Sequence, residues 1–270
     1  MSNISKKKWI SFSVNNRDVD LKNQIYANFS NFILGTYENN NEFIFYFNFD
    51  MKNKLNQFKT DEAKINEIKY ENWHAEYEKY FRPVEINSQI TVVPDWYEAD
   101  DLTKDYIYVK PGMAFGTGTH ETTQLILSQI PNIIKHGYTV LDLGTGSGIL
   151  AIGAIKSGAK HVTCYEYDLD CKENFYENMN LNDIKNFEIS FSDVLQLKDF
   201  DYNCILANIN EKIIRQLLPR IKKYRTNDSV IILSGIIDVY KEEILNLIKK
   251  MNFKLIKTFT KNEWVCFIIS

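Results

Sequence analysis

The sequence is sparing with cysteine, histidine and proline: 4, 4 and 5 among 270 residues. Cys164, Cys171, Cys204 and Cys266 form no Cys-x-x-Cys pair and have no histidine at zinc spacing, so no metal site and no disulfide framework is expected. Buried, reduced thiols are the reading that remains. No apolar run approaches the ~18 residues of a membrane span. The opening MSNISKKKWISFSV has no apolar stretch long enough for a signal peptide. These absences predict a cytoplasmic chain without a membrane partner. Charge of one sign is also missing. With 32 basic against 35 acidic side chains and a net charge of −3, no direct nucleic-acid partner is predicted.

What is present is a globular composition, 44% hydrophobic and 25% charged, long enough to bury a sizeable core without staples. Residues 1–57 read as a small α/β domain: a strand over 8–14, a helix over 18–32, then a hairpin of 32–37 and 43–49 around Glu38-Asn39-Asn40-Asn41-Glu42. Residues 58–80 space Phe58, Ile65, Ile68, Trp73 and Tyr77 as a helical linker would. Scattered asparagines and lysines read as residue usage without chemistry.

From residue 81 to 270 the pattern changes. Strands are predicted over 86–93 and 106–110 and a helix over 122–130. Strands over 139–143, 161–167, 188–192, 204–208 and 229–234 then alternate with helices. Two closing strands, 254–260 and 263–269, form an antiparallel hairpin. Such alternation predicts an α/β fold, a mostly parallel sheet with helices on both faces.

The strongest local signal is Val140-Leu141-Asp142-Leu143-Gly144-Thr145-Gly146-Ser147-Gly148-Ile149-Leu150, a strand that ends in a glycine-rich turn and opens a helix. Glycine allows close approach of a ligand, and a helix N-terminus presents free N–H groups. A dinucleotide fingerprint would space its glycines Gly-x-Gly-x-x-Gly, and here the third comes one residue early. Asp142 beside the turn would repel a pyrophosphate, yet it can hold an ammonium. Glu166, at the end of the next strand, can accept both hydroxyls of a ribose. Ser192-Asp193 can meet an adenine amino group. An ammonium, a ribose and an adenine together describe S-adenosylmethionine. The alternative is a turn required for packing with surface acids around it.

Two further stretches carry a family resemblance. One is Lys110-Pro111-Gly112-Met113-Ala114-Phe115-Gly116-Thr117-Gly118-Thr119-His120-Glu121-Thr122-Thr123, the other Leu206-Ala207-Asn208-Ile209-Asn210. With the glycine turn, and with Asn72-Trp73, Leu233-Ser234-Gly235-Ile236 and Asn262-Glu263-Trp264, they resemble the PrmA family of bacterial methyltransferases acting on large-subunit ribosomal protein eleven. The resemblance runs from about residue 72 to the C-terminus. It implies a class I S-adenosylmethionine-dependent methyltransferase fold: a seven-stranded, mostly parallel sheet with an antiparallel C-terminal hairpin, behind a small N-terminal α/β domain that selects the substrate. It implies S-adenosylmethionine as cofactor and ribosomal protein eleven, free or on the ribosome, as partner; the net charge of −3 is compatible with the monomer expected here. Cofactor contacts are implied for Phe115, His120, Thr123, Gly144, Gly146, Glu166, Asp193 and Asn208. Glu166 stands where an aspartate is usual.

The implied chemistry is in-line displacement, a substrate amine attacking the sulfonium methyl. Asn208 and Thr123 are the candidate catalytic residues. The Asn208 side-chain carbonyl would accept from the amine and Thr123 would shape the channel; the bland role for Asn208 is a strand-end cap. His120 is read as a loop anchor or cofactor-packing residue in preference to a base. Trp73, Trp96 and Trp264 are read as core or interface residues, and the hydroxyls of Thr117, Thr119 and Thr122 as satisfying their own loop. Gly116 and Gly118 suggest a loop able to move. A relative that methylates another protein or a small amine, a non-catalytic binding module, and a nicotinamide oxidoreductase are the competing functions.

Overall fold

The structure, a computed structural model, describes residues 9–39, 41–60, 62–68, 82–98, 105–110, 114–225 and 229–270. The chain forms two compact units, Met1–Phe81 and Arg82–Ser270.

Among the described residues, the first unit is a four-stranded antiparallel sheet with one long helix and a short helix at Lys52–Leu55. Its strands are β1 (Trp9–Asn15), β2 (Ile33–Glu38), β3 (Glu42–Asn48) and β4 (Lys64–Ile68), in the order β2-β3-β1-β4. Alternation puts Ile10, Phe12 and Val14 opposite Phe47, Phe45 and Phe43, and all six are buried. Helix α1 (Val19–Phe29) buries Leu21, Ile25, Tyr26 and Phe29, and meets that face through edge-on contacts of Tyr26 with Phe45 and of Phe29 with Phe47. Asp18 starts the helix by accepting from the Leu21 N–H at 2.9 Å. In the hairpin, Asn39 Oδ1 accepts from the N–H groups of Asn41 and Glu42, which sets the turn.

The helical linker expected over 58–80 needs correction. Lys64–Ile68 is an edge strand paired with Trp9–Ser13 of β1. Ile65 and Ile68 sit three apart, as on a helix, but the open edge of β1 offers a ladder that overrides this spacing. Residues 69–81 lie outside the described residues, and Trp73 with them.

In the second unit, β5 (Val84–Glu85), β6 (Ile90–Pro94) and β7 (Asp105–Val109) make a separate three-stranded sheet, in which β6 and β7 run parallel. The main sheet comprises β8 (Thr139–Leu143), β9 (His161–Glu166), β10 (Phe187–Phe191), β11 (Cys204–Asn208), β12 (Val230–Ile237), β13 (Leu255–Lys261) and β14 (Trp264–Ile269). Its order is β10-β9-β8-β11-β12-β14-β13, parallel except for β14 and its pairings, so the closing hairpin is antiparallel as expected.

Helices α2 (Glu121–Leu127), α3 (Ile149–Lys156), α4 (Lys172–Leu181), α5 (Glu211–Tyr224) and α6 (Lys241–Lys250) pack around the sheet, with a short helix at Ile130–Ile133. One face of the sheet buries Leu141, Leu143, Ile205, Leu233 and Phe267 against Ile214, Leu217, Leu218 and Ile221 of α5 and Ile244 of α6. The four cysteines are free and buried, and burial pushes the thiols of Cys171 and Cys266 up to about 12. Among the described residues no helix is long and apolar enough to cross a membrane. Strand order reverses between β8 and β11, and ligands of open α/β sheets bind at the carboxyl ends flanking such a point.

Candidate active site

The carboxyl end of β8 runs through Gly144, Gly146 and Gly148, all at positive φ, into α3. Gly146 is required in a second way, since a Cβ there would come within 2.5 Å of the Phe115 carbonyl oxygen. The loop carrying Phe115 therefore rests directly on the turn.

The free N–H groups expected here are all engaged between Gly144 and Ile149. Gly144 and Thr145 donate to the Tyr165 carbonyl, Gly148 to Thr145 and Ser147 to Phe115. Gly146 donates to Glu166 Oε2 at 2.9 Å, and Ile149 to Ser147 Oγ. A phosphate would need those donors, so the turn can serve a ligand by close approach but not by cradling an anion.

Three acids stand at the carboxyl ends of β8, β9 and β10. Asp142, fully buried, accepts from Thr145 Oγ1 at 2.6 Å, while its other oxygen has no hydrogen-bond partner. Burial, reinforced by the Glu166 charge and opposed by the Thr145 hydrogen bond and, more weakly, by the Ala151 N–H, pushes its carboxyl up to about 7. Glu166 folds over the chain: Oε1 accepts from the N–H groups of Tyr167 and Asp168 at 2.8 and 2.9 Å, and Oε2 from Gly146. The extra methylene relative to aspartate gives that reach. With three acceptor positions of roughly four in use, a ribose diol must displace at least one backbone partner. Asp193 uses Oδ1 to cap the turn at Val194–Gln196, accepting from Leu195 N–H at 2.8 Å, and Ser192 pairs with Ser190 at 2.9 Å.

The loop at 114–120 forms the other wall; residues 111–113 lie outside the described residues. His120 is the N-cap of α2, where Nδ1 accepts from the Thr122 N–H at 3.3 Å and lies 2.8 Å from the Thr122 hydroxyl. That places the ring proton on Nε2. The imidazole is held edge-on between Phe115 and Trp264, 5.2 and 4.9 Å between centroids. Burial lowers its pKa to about 4 against a smaller upward pull from Glu121. His120 is thus a neutral cap and loop anchor. Thr117 pairs with Thr119 at 3.0 Å, so these hydroxyls do satisfy their own loop. Trp264 is core, whereas Trp96 is 45% exposed.

Asn208 ends β11. Its Nδ2 donates to Oγ1 of fully buried Thr123 at 3.2 Å, and its Oδ1, shielded from water, has no partner. The strand-end cap of the next helix is Asn210, which accepts from Ile213 N–H at 3.0 Å, so Asn208 is not needed for capping.

Sequence reading missed two supports of this site. Asn174 and Asn178 of α4 and Asn182 at its C-cap recur every fourth residue and bond to the backbone of Lys110, Ser147 and Tyr108. Their spacing was the signal, hidden by the general abundance of asparagine. Gly235, at φ +83 in a bulge of β12, has the Ile209 carbonyl where a Cβ would stand.

The sequence profile of the family described as "Ribosomal protein L11 methyltransferase (PrmA)" matches residues 5–270. The chain belongs to the PrmA family. A relative named ribosomal protein L11 methyltransferase from Enterococcus faecalis is 36% identical over 212 residues, 77% of this chain and 67% of the relative. One of the same name from Clostridium perfringens is 34% identical over 199 residues, 73% of this chain and 64% of the relative. The chain thus spans about two thirds of their length. A crystal structure described as ribosomal protein L11 methylase from Lactobacillus delbrueckii subsp. bulgaricus is 30% identical, with a TM-score of 0.66, over 70% of this chain and 98% of that one. PrmA membership brings the enzyme class of protein methyltransferases, and the family's description names a ribosomal protein as the target.

Proposed function

We propose that this protein transfers methyl groups from S-adenosylmethionine to lysine ε-amines and the α-amine of large-subunit ribosomal protein eleven. The observation that carries the chemistry is Asn208 Oδ1. A shielded carbonyl oxygen without a partner costs about 1–3 kcal/mol, and an incoming N–H group removes that cost. Thr123 decides which end of the amide faces the substrate, because its hydroxyl takes the NH2 end.

The acids fit the cofactor. Asp142 keeps a buried oxygen without a partner, the complement of an ammonium, and a nearby cation would restore its ionised form. Glu166 and Asp193 suit the ribose and adenine edges, Gly144 and Gly146 admit close contact, and Phe115 and His120 supply an apolar wall. S-adenosylmethionine, when bound, supplies an electrophilic methyl on a sulfonium. A substrate lysine has a pKa near ~10.4 and arrives charged. Desolvation beside a second cation lowers that value, so the ammonium gives a proton to solvent water. Asn208 then accepts from a remaining N–H and aims the lone pair at the methyl, the sulfonium sulfur leaving with the bonding pair. His120 is no candidate base, since its Nδ1 is occupied and its Nε2 carries the proton.

The assigned residues all lie in one unit of one chain, so we take the enzyme to act as a monomer. Its target places it in the cytoplasm, working on the protein free or on the ribosome. Incubating protein eleven with the enzyme and S-adenosylmethionine, then locating mass gains by peptide mass spectrometry, tests the assignment. Whole-methyl increments on lysine or the α-amine are expected. No increments, with the cofactor bound, would redirect the search to another protein target.

A further inference from the structure

The asparagine ladder on α4 does more than cover a strand edge. Asn182 accepts from the Tyr108 N–H at 2.9 Å and donates to the Tyr108 carbonyl at 2.7 Å, so it closes the free edge of β7. One turn earlier, Asn178 is fully buried and makes a different pair of bonds. It accepts from the Lys110 N–H at 2.8 Å, where the loop over the site begins, and donates to the Ser147 carbonyl at 3.0 Å, inside the glycine turn. Asn174 adds a bond from its Nδ2 to the Lys110 carbonyl at 2.9 Å. Ser147 in turn donates its N–H to the Phe115 carbonyl at 3.0 Å and its hydroxyl to the Gly116 carbonyl at 2.5 Å.

These bonds close a circuit. Lys110 is held on Asn178 and Phe115–Gly116 on Ser147, and both attachments meet at one junction, the Ser147–Asn178 bond. The turn also leans on the same helix, because a Cβ on Gly148 would lie 3.0 Å from the Phe175 ring. We infer that Asn178 is a positioning residue that locks the glycine turn, Lys110 and Phe115–Gly116 into one cofactor-binding unit. This rests on the reading of the site as one for S-adenosylmethionine. No atom of Asn178 need touch the cofactor. Its effect passes through the Ser147 peptide, whose tilt sets how closely Gly146 and Phe115 approach each other.

The ladder supplies its own control. Asn178→Ala and Asn182→Ala both remove a buried amide and both lower thermal stability. Only the first severs the link to the turn. Calorimetric titration with S-adenosylhomocysteine should show affinity weakened on the order of tenfold or more for Asn178→Ala, and within about twofold of wild type for Asn182→Ala. Asn178→Asp keeps the shape and the acceptor for Lys110 but loses the donor to Ser147, so its affinity should also fall. That deficit should shrink on acidification, as the protonated carboxyl regains a donor. In turnover, KM for S-adenosylmethionine should rise in both Asn178 variants, with KM for the protein substrate unchanged.

Hydrogen exchange separates this inference from the reading of the ligand. In Asn178→Ala, amides of 114–118 and 144–148 should exchange faster without any ligand, whereas Asn182→Ala should loosen only 105–109. Equal affinity losses in the two alanine variants, or unchanged exchange at 144–148 in Asn178→Ala, would overturn the inference. Failure of the wild type to bind S-adenosylhomocysteine, with the exchange pattern intact, would overturn the ligand assignment alone.

Discussion

Among the groups assigned to amine and cofactor, the carboxamide of Asn208 and the carboxyl of Asp142 each keep a buried oxygen without a hydrogen-bond partner. Asn208→Ala should lower kcat on the order of 10²-fold, with a smaller loss of cofactor affinity, because what it chiefly removes is alignment of the attacking amine. A variant with full turnover would assign Asn208 to architecture alone. Asp142 has a pH signature. Its native value of about 7 lies above the ordinary 3.8, so the folded state takes up the proton first. Its contribution to stability is therefore fully present below about pH 4 and fades as pH rises through 7. Asp142→Asn should melt higher than wild type at about pH 8 and show no such gain near pH 4. A cationic ligand needs the ionised form, so wild-type cofactor affinity should fall by up to about tenfold per unit below pH 7, relative to a flatter profile in Asp142→Asn. His120 runs the other way. Held near 4 against 6.5, it stabilises fully above about pH 6.5 and loses up to roughly 3 kcal/mol as pH drops toward 4. His120→Gln should remove part of that acid lability, measured by denaturation, without reshaping the pH–rate profile between about pH 6 and 9. A reshaped profile would restore His120 as a base.

Among the elements, those with strong periodicity were legible in the sequence. The strands ending at Leu143, Glu166 and Asn208 announce themselves as short apolar runs followed by polar or glycine punctuation, and their carboxyl ends carry the site. What stayed hidden depends on contacts between distant segments. The edge strand Lys64–Ile68 gains its ladder only once β1 exists, and β5, β6 and β7 form a sheet apart from the main one, which no local spacing reveals. The engaged amides of the glycine turn were likewise invisible, since three of the acceptors belong to Tyr165, Glu166 and Phe115. The bulge in β12 is of the same kind. Gly235→Ala would force a Cβ toward the Ile209 carbonyl at a φ that disfavours it. The cost should be about 1–3 kcal/mol in chemical denaturation, with a larger relative loss of turnover because Ile209 follows Asn208 directly. A stable, fully active variant would show that the bulge can relax.

At the scale of the molecule, the division into Met1–Phe81 and Arg82–Ser270 separates two cores, and every residue assigned to cofactor or amine lies in the second. A chain of residues 82–270 should therefore bind S-adenosylhomocysteine within about threefold of the full protein yet lose affinity for protein eleven by tenfold or more, as calorimetry and methylation kinetics would show. Unchanged methylation would take target selection away from the first unit. The glycine turn has a consequence at this scale too. Adenosine is common currency among metabolites, and the forms that crowd a cell carry chains of phosphate. A turn with its amides already committed offers those phosphates no reception, and the neighbouring carboxylates turn them away. On the proposed reading of the site, the cell's nucleotide pool should therefore compete poorly for the place of a cationic relative, which inhibition assays with nucleoside triphosphates would check.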